Sequence, residues 1–476
     1  MTTPHYLDDH VTLYHGNCLE VLRTMPDESV HAVVTDPPYG LSNTDPAQVA
    51  GVLSKWANGD HEAVPATRGG FMGKEWDSFV PPPAVWVECL RVLKPGGHMA
   101  VFAGARTQDL MGLSIRLAGF EVRDTLGWVY GSGFPKSMDV AKAVAATQAG
   151  FGGNSGAIRR ATMGTAYTSS GRRGNRDGAG RRDTGLNDHD LDMTTEAEKW
   201  AGWGTALKPA IEPIILARKP LSGTVAQTVL DHGAGVLNID ACRVGMSEAD
   251  RAAARVPMPK QHNDGHSVYQ AGHGEGRNGS TFEPAPAGRF PANVLLDEHA
   301  AADLDEQSGV GISRKGAPRR SQFPGNGYGM THTGAEYDDE GGASRFFPAF
   351  RYQAKAPSSE RPVIVGDDGT RVQHSTVKPL ALMRWLVTLI SPPGATILDP
   401  FSGSGTTLEA AMQRGVTAVG IEMTDEYLPL IMQRIERQHA AGDPILPPHD
   451  TEPVKKKPTP PPVGFDTLPL FEEDTA

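Results

Sequence analysis

Cysteine is scarce: Cys18, Cys89 and Cys242 are the whole complement of a chain of 476 residues. They stand far apart with no Cys-x-x-Cys pair, which excludes a disulfide framework and a zinc knuckle and points to a reducing cytoplasm. Long apolar runs are lacking as well. No stretch reaches membrane-spanning length, and the opening MTTPHYLDDH is not a basic-then-apolar leader, so no membrane partner is expected. His262, His266 and His273 do not have a helical metal-ligand spacing such as His-Glu-x-x-His, and no metal is expected. What the chain has in quantity is glycine and proline, 55 and 38 residues. That balance predicts long loops around a core, and the 39% of hydrophobic residues suffices to build one. The length exceeds one ordinary domain.

Two short stretches carry chemistry. The apolar run Val30 to Thr35 ends abruptly in Asp36-Pro37-Pro38-Tyr39-Gly40. A run bounded this way reads as a buried strand that opens into a loop. Open α/β sheets bind ligands outside the carboxyl ends of their strands. The loop offers a carboxylate, a free backbone carbonyl and an aromatic ring, a set that grips a planar ring bearing an amino group. A strand-ending turn satisfies the same residues, so this stretch alone defines nothing.

The second stretch is Asp399-Pro400-Phe401-Ser402-Gly403-Ser404-Gly405-Thr406-Thr407. Ala395 to Leu398 before it reads as a strand, Thr406 to Arg414 after it as a helix closed by Gly415, and Val416 to Ile421 as a second strand ending in Glu422. An acid about 17 residues past the last loop glycine is close to the spacing of dinucleotide-binding units, where it holds ribose hydroxyls. The third glycine of Gly-x-Gly-x-x-Gly is missing, since Leu408 stands there, and no Gly-Lys-Ser/Thr follows, so this is not a P-loop. A glycine loop at a helix N-terminus still suits a carboxylate. The implied ligand has a ribose and a carboxylate and needs no pyrophosphate. S-adenosylmethionine fits.

Together these motifs resemble those of the DNA amino-methyltransferases, which methylate the exocyclic nitrogen of adenine or cytosine. The target motif precedes the cofactor motif by most of the chain, which resembles the beta group, of restriction-modification or phage type. The resemblance covers about residues 10–150, 200–220 and 345–440. It implies a Rossmann-like, S-adenosylmethionine-dependent fold that acts on double-stranded DNA in the cytoplasm, as a monomer or homodimer. It assigns Asp36, Pro37, Pro38 and Tyr39 to catalysis. It places Asn17, Cys18, Asp36, Thr376, Lys378, Asp399, Phe401, Gly403, Gly405, Thr406 and Glu422 around the cofactor. Asn17 stands where the family often has Asp, and an ordinary helix cap explains it equally. Adenine N6 is preferred because adenine enzymes of the family mostly carry Asp in the target motif and cytosine N4 enzymes mostly Ser. The alternatives are an N4-cytosine enzyme, a catalytically silent DNA-binding protein of the same fold and a nicotinamide-dependent dehydrogenase.

Helix and strand patterns alternate through the first 130 residues and again after Leu380. This predicts a doubly wound, mostly parallel α/β sheet with helices on both faces. Individual readings are Leu19 to Met25, Val85 to Leu93, Thr107 to Ala118, Leu380 to Ile390 and Glu426 to Gln438 as helices. Ser375 or Thr376 is expected to cap the fourth. Val11 to Tyr14, His98 to Ala103, Phe120 to Arg123, Leu126 to Tyr130 and Pro209 to Arg218 read as strands, and Arg345 to Tyr352 is strand-like. Leu41 to Phe79, with Trp56, Phe71 and Trp76, reads as a long loop, a lid or DNA contact. Phe134 is a candidate for facing the target base. The expected organisation is a target-base half at 10–150, a flexible Gly/Arg-rich insert at 151–200 and the last strand of that half at 201–220. A recognition region at 221–345, a cofactor half at 346–440 and a disordered tail at 441–476 follow.

The net charge of −11 is at odds with a DNA partner. The tail carries part of it, with three lysines against seven acids, while seven arginines crowd residues 159–182. A local basic surface holds phosphates whatever the global charge. In the tail, Thr467-Leu468-Pro469-Leu470-Phe471 is an apolar cluster. It resembles the peptide by which bacterial DNA enzymes dock on the replication sliding clamp, with Thr467 where glutamine is usual.

Overall fold

The computed structural model describes residues 3–42, 44–66, 77–131, 133, 137–149, 193–246, 256–257, 281–282, 288–312, 340–350, 360–366, 369–442 and 445. Phe71, Trp76, Phe134, His262, His266, His273, the arginines of 159–182 and the cluster 467–471 lie outside them.

The chain is organised by ten strands: β1 (Tyr6–Leu7), β2 (Val11–His15), β3 (Val30–Thr35), β4 (Leu93–Phe102), β5 (Glu121–Val129), β6 (Ile211–Arg218), β7 (Val294–Asp297), β8 (Ala349–Phe350), β9 (Thr396–Asp399) and β10 (Thr417–Glu422). They form one sheet in the order β1-β2-β10-β9-β3-β4-β6-β5-β7-β8. The run from β2 to β4 is parallel, as is β5-β7-β8. Strand β6 runs antiparallel to both β4 and β5, and β1 to β2.

The central strands are apolar on both sides because both faces are covered. Alternate residues of β3 and β4 divide between two cores. Ala32, Val34, Ala100 and Phe102 point into one; Val33, Met99 and Val101 point into the other. The second core is closed by α1 (Cys18–Thr24), α2 (Pro46–Ala57), α3 (Pro83–Val92) and α4 (Gln108–Leu117). The first is closed by the three later helices Leu380–Ile390, Thr406–Gln413 and Leu428–Ala440. All residues of Leu380–Ile390 are buried, as a helix with Arg384 and Thr388 as its only polar side chains requires. Each large aliphatic side chain buried there contributes about 1.5–3 kcal/mol. This is the doubly wound α/β arrangement expected.

Several local expectations are corrected. Residues 41–79 are not one loop: α2 lies within them, capped by Asp45 with Pro46 in its first turn, and buries Trp56. Phe120 to Arg123 and Leu126 to Tyr130 are one strand, β5, because β6 pairs with it across a register shift at Val122/Asp124. The helix expected over Val85 to Leu93 is α3, which already ends at Val92; Leu93 opens β4, which includes Lys94 to Gly97. Neither Ser375 nor Thr376 caps Leu380–Ile390. Pro379 is its N-cap residue, and the Glu360 carboxylate accepts from the Leu380 N–H at 3.2 Å. Of the strand expected over Arg345 to Tyr352, the described part, 345–350, is the end of a 3₁₀ turn, Ala343–Phe346, and the short β8, and 351–352 lie outside the described residues. The last helix starts at Leu428, after a 3₁₀ turn at Asp425–Tyr427. Strand β7, inside the stretch assigned to recognition, pairs with β5 in the main sheet.

Candidate active site

The sheet order fixes where a site forms. After β3 the chain moves to β4 on one side; after β9 it moves to β10 on the other. Strands β9 and β3 are neighbours, with Ile397 beside Ala32 and Leu398 beside Val33. Their carboxyl ends therefore flank the point where the winding reverses, where a crevice opens in such sheets. Asp36 and Asp399 follow from those two ends. Thr35 Oγ1 donates to Asp399 Oδ1 at 2.7 Å, joining the two motifs directly.

On the β3 side the turn Asp36 to Gly40 is held from outside. The buried Asp77 carboxylate accepts from the N–H groups of Tyr39 and Gly40 at 3.0 and 3.2 Å. Thr107 Oγ1 donates to the Tyr39 carbonyl at 2.6 Å. Gly40 has φ +62°, and a Cβ there would lie 2.6 Å from the Val80 nitrogen, so only glycine fits. The Tyr39 hydroxyl lies 2.8 Å from Asp36 Oδ1 and 3.3 Å from Glu212 Oε2. Burial first, then the two carboxylates, push the phenol well above its ordinary value, so it stays a neutral donor.

Lys378 is placed on this side. Its Nζ sits 2.5 Å from Asp36 Oδ2 and 3.5 Å from Glu212 Oε2, and it also faces the Tyr39 and Phe102 rings at 5.3 and 4.9 Å. Burial works to lower the ammonium's pKa; the attraction of Asp36 and Glu212 outweighs it and raises it. The lysine is therefore charged. Thr376 is exposed, and its carbonyl lies 2.9 Å from His374 Nδ1.

On the β9 side the glycine loop folds back onto β10. Glu422 takes the N–H of Gly403 on one oxygen and that of Thr424 on the other, each at 2.7 Å. The Gly16 N–H donates to the Glu422 carbonyl at 3.0 Å, which brings Asn17 and Cys18 to the same strand end. Asn17 does cap α1, accepting from the Leu19 N–H at 2.9 Å. Burial pushes the Cys18 thiol up to about 12, so it is no nucleophile. The Phe401 ring lies 6.2 Å from that of Trp86. Gly403 and Gly405 have φ of +52° and +79°. A Cβ on Gly403 would lie 3.0 Å from His374 Nε2, and that imidazole packs edge-on against Tyr427 at 4.8 Å. Burial raises the Asp399 carboxyl to about 6 and raises Glu422 as well.

This half fits the ligand inferred from the sequence. Helix Thr406–Gln413 begins at Gly405 with no side-chain cap, so its first amides suit a carboxylate. Glu422 also accepts from the Thr424 side chain, and a carboxylate has about four lone-pair sites, so room remains for a ribose hydroxyl. No group of residues that could hold a metal ion occurs among the described residues. No described helix is long and apolar enough to cross a membrane.

Thus the structure brings Asp36, Tyr39 and Lys378 together on one side and Asn17, Cys18, Phe401, Gly403 and Glu422 on the other, with Asp399 between. Five further residues complete the site: Thr35, Asp77, Thr107, Glu212 and His374. Of these only Thr35 and His374 lie beside a motif in the chain.

A doubly wound sheet with an Asp-Pro-Pro-Tyr turn and a glycine loop side by side at its switch point is a Rossmann-like methyltransferase fold. Sequence comparison makes the class particular: the N6/N4 DNA methylase family matches residues 30–153 and 184–433, and the chain belongs to that family. The DNA adenine methyltransferase YhdJ of Escherichia coli K12 is 40% identical over 63 residues, 13% of this chain and 21% of that protein. The type II methyltransferase M.ScaI of Streptomyces caespitosus is 38% identical over 68 residues, 14% of this chain and 22% of that protein. The matched stretches thus span about a fifth of these relatives. Among solved structures, the cytosine-N4-specific PvuII DNA methyltransferase aligns over 91% of this chain and 89% of its own, at 13% identity and a TM-score of 0.38.

Proposed function

We propose that this chain transfers a methyl group from S-adenosylmethionine to the N6 amino group of adenine in double-stranded DNA. The observation that carries the reading is the adjacency of the two motifs at the switch point, closed by the bond from Thr35 to Asp399. S-adenosylmethionine supplies an electrophilic sulfonium methyl. Asn17, Cys18, Phe401, Gly403, Gly405, Thr406 and Glu422 would hold its adenosine and carboxylate, with Asp399 as a counter-charge.

The chain's part in the chemistry follows from the amino group. Its lone pair is delocalised into the base and attacks poorly. Asp36 and the Pro37 carbonyl accept its two N–H bonds and favour a more tetrahedral nitrogen. Positive charge develops there, and fixed acceptors stabilise it without reorganising. A base inside the duplex is out of reach, so it flips out, and the Tyr39 ring offers a stacking face. Adenine is preferred on the Asp of the target motif; the adenine enzyme YhdJ among the relatives agrees with that preference.

Methylation-aware sequencing of DNA from cells expressing the chain tests the reading. N6-methyladenine in one sequence context is expected, and none with Asp36→Ala, which should still bind the cofactor in a calorimetric titration. Methylcytosine instead, or transfer by Asp36→Ala near the wild-type rate, overturns it. A further partner, the replication sliding clamp, is proposed for residues 467–471. Fluorescence anisotropy of a labelled 462–476 peptide should report clamp binding that Leu470→Ala with Phe471→Ala abolishes; equal binding refutes it.

A further inference from the structure

The target side of the site holds more charge than its chemistry uses. Two donors, the Lys378 ammonium and the Tyr39 hydroxyl, lie between the same two carboxylates. Both are nearer Asp36: 2.5 against 3.5 Å for Nζ, and 2.8 against 3.3 Å for the hydroxyl. In this arrangement Asp36 is covered on both oxygens. An amino group entering the site would meet a carboxylate already engaged and an ammonium beside it. A positive charge there also opposes the charge that develops on the attacking nitrogen.

We propose that Glu212 is the alternate seat of Lys378: as the base enters, Nζ moves from Asp36 onto Glu212, and the Tyr39 hydroxyl turns the same way, leaving Asp36 free to accept from the amino group. The inference rests on Asp36 being that acceptor. Glu212 is suited to the role by its place. It lies in β6, whose backbone is held at Glu212 by pairing with Trp128 of β5 and from Ile214 onward by β4 as well. Lys378 lies just before the buried helix Leu380–Ile390, so its backbone is held while its long side chain swings. The distance to be covered is short, and no charge leaves the site. The Lys378 ammonium keeps a carboxylate partner in both positions, so neither state strands a buried charge. Glu212 is a positioning residue: it acts on the reaction through Lys378 and Tyr39.

A double-mutant cycle in the full chain tests this, with Glu212→Gln, Lys378→Met and the pair. The readouts are single-turnover methyl transfer to duplex DNA and S-adenosylmethionine affinity by calorimetry. Glutamine cannot hold the ammonium as a carboxylate does, so Lys378 stays on Asp36. Glu212→Gln should slow transfer at least tenfold, with cofactor affinity within threefold of wild type. In the Lys378→Met background the same change should alter transfer less than twofold, because the cation it serves is gone. Should Glu212→Gln not fold, Glu212→Asp, which withdraws the carboxylate by one methylene, completes the same cycle. Transfer by Glu212→Gln within twofold of wild type overturns the inference alone. So does an equal loss in both backgrounds, the mark of a merely structural residue. A wild-type chain that methylates no DNA overturns the function proposed above and this inference with it.

Discussion

Asp399 is a buried carboxyl whose charge costs stability, and Asp399→Asn should show it. The residue is 3% exposed. It accepts from Thr35 Oγ1 at 2.7 Å and from the Phe401 N–H at 3.1 Å, both on Oδ1. The Thr407 hydroxyl also bonds to the carboxylate. An asparagine keeps the Oδ1 acceptor, and the Thr407 hydroxyl can turn to accept from the new amide N–H. What changes is the charge. Burial moves the carboxyl from 3.8 to about 6. One pKa unit is about 1.4 kcal/mol, so the ionised form carries a folding penalty of about 3 kcal/mol. For an acid raised in the folded state, stability is fully present below the unfolded value and is lost as pH rises through the folded one. The window here runs from about pH 4 to about pH 6.

Urea unfolding at pH 8 and pH 5 measures the effect. At pH 8 the variant should be more stable by about 2–3 kcal/mol; at pH 5 about half of that gain should remain. Equal or lower stability at pH 8, or a gain that does not shrink with falling pH, refutes the reasoning. The same variant should bind S-adenosylmethionine more weakly above pH 6, where the wild-type carboxylate is charged. A carboxylate that destabilises the fold is where a local rule yields to function, and weaker cofactor binding by the variant would show which function.

Three other perturbations have definite outcomes. Gly40→Ala places a Cβ 2.6 Å from the Val80 nitrogen at φ +62°, so it should displace Tyr39 and reduce transfer more than tenfold while cofactor affinity, measured by calorimetry, holds. Gly403→Val puts a branched side chain at φ +52° against His374, and equilibrium dialysis should find cofactor binding lost; affinity within threefold of wild type would refute the loop's role. Tyr39→Ala removes a stacking face worth ~1–3 kcal/mol per base, whereas Tyr39→Phe keeps the ring and loses only the bond to Asp36; 2-aminopurine fluorescence should therefore report impaired flipping in the first and near-normal flipping with slowed transfer in the second.

What was legible in the sequence follows from burial. Strands β3, β9 and β10 are covered on both faces, so each reads as an apolar run; β9 and β10 end in Asp399 and Glu422, and Asp36 follows β3 directly. Helix α2 is missed by the sequence reading: Val49, Val52, Leu53 and Trp56 recur at helical spacing, but Gly51 and the surrounding polar residues give the segment the look of a loop. Strand β5 was split in the reading because Asp124 and Thr125 interrupt its apolar pattern where the register shifts. The partners of the turn were not legible at all. Asp77, Thr107 and Glu212 stand 38, 68 and 173 residues from Tyr39, and no periodicity links them to it. Lys378 was assigned to the cofactor from its motif, yet the ion pair it makes lies across 342 residues, with Asp36.

The same distances explain why the two motifs suffice for the fold. Thr35 and Asp399 are 364 residues apart and yet in contact, because the pairing of β3 with β9 is specified by the sheet's winding and not by the chain between them. That intervening chain leaves the sheet after β4 and returns through β6, β5, β7 and β8 on the far side of the switch point. Whatever it inserts, β3 and β9 remain neighbours and the site is assembled from their ends. Segments inserted between them therefore need not move Asp36 relative to Asp399. Glu212 stands on β6 within that intervening chain and reaches Tyr39 and Lys378. With Asp77 and Thr107, which hold the Tyr39 turn, and Lys378, which pairs with Asp36, it ties the intervening chain to the ends of the two strands.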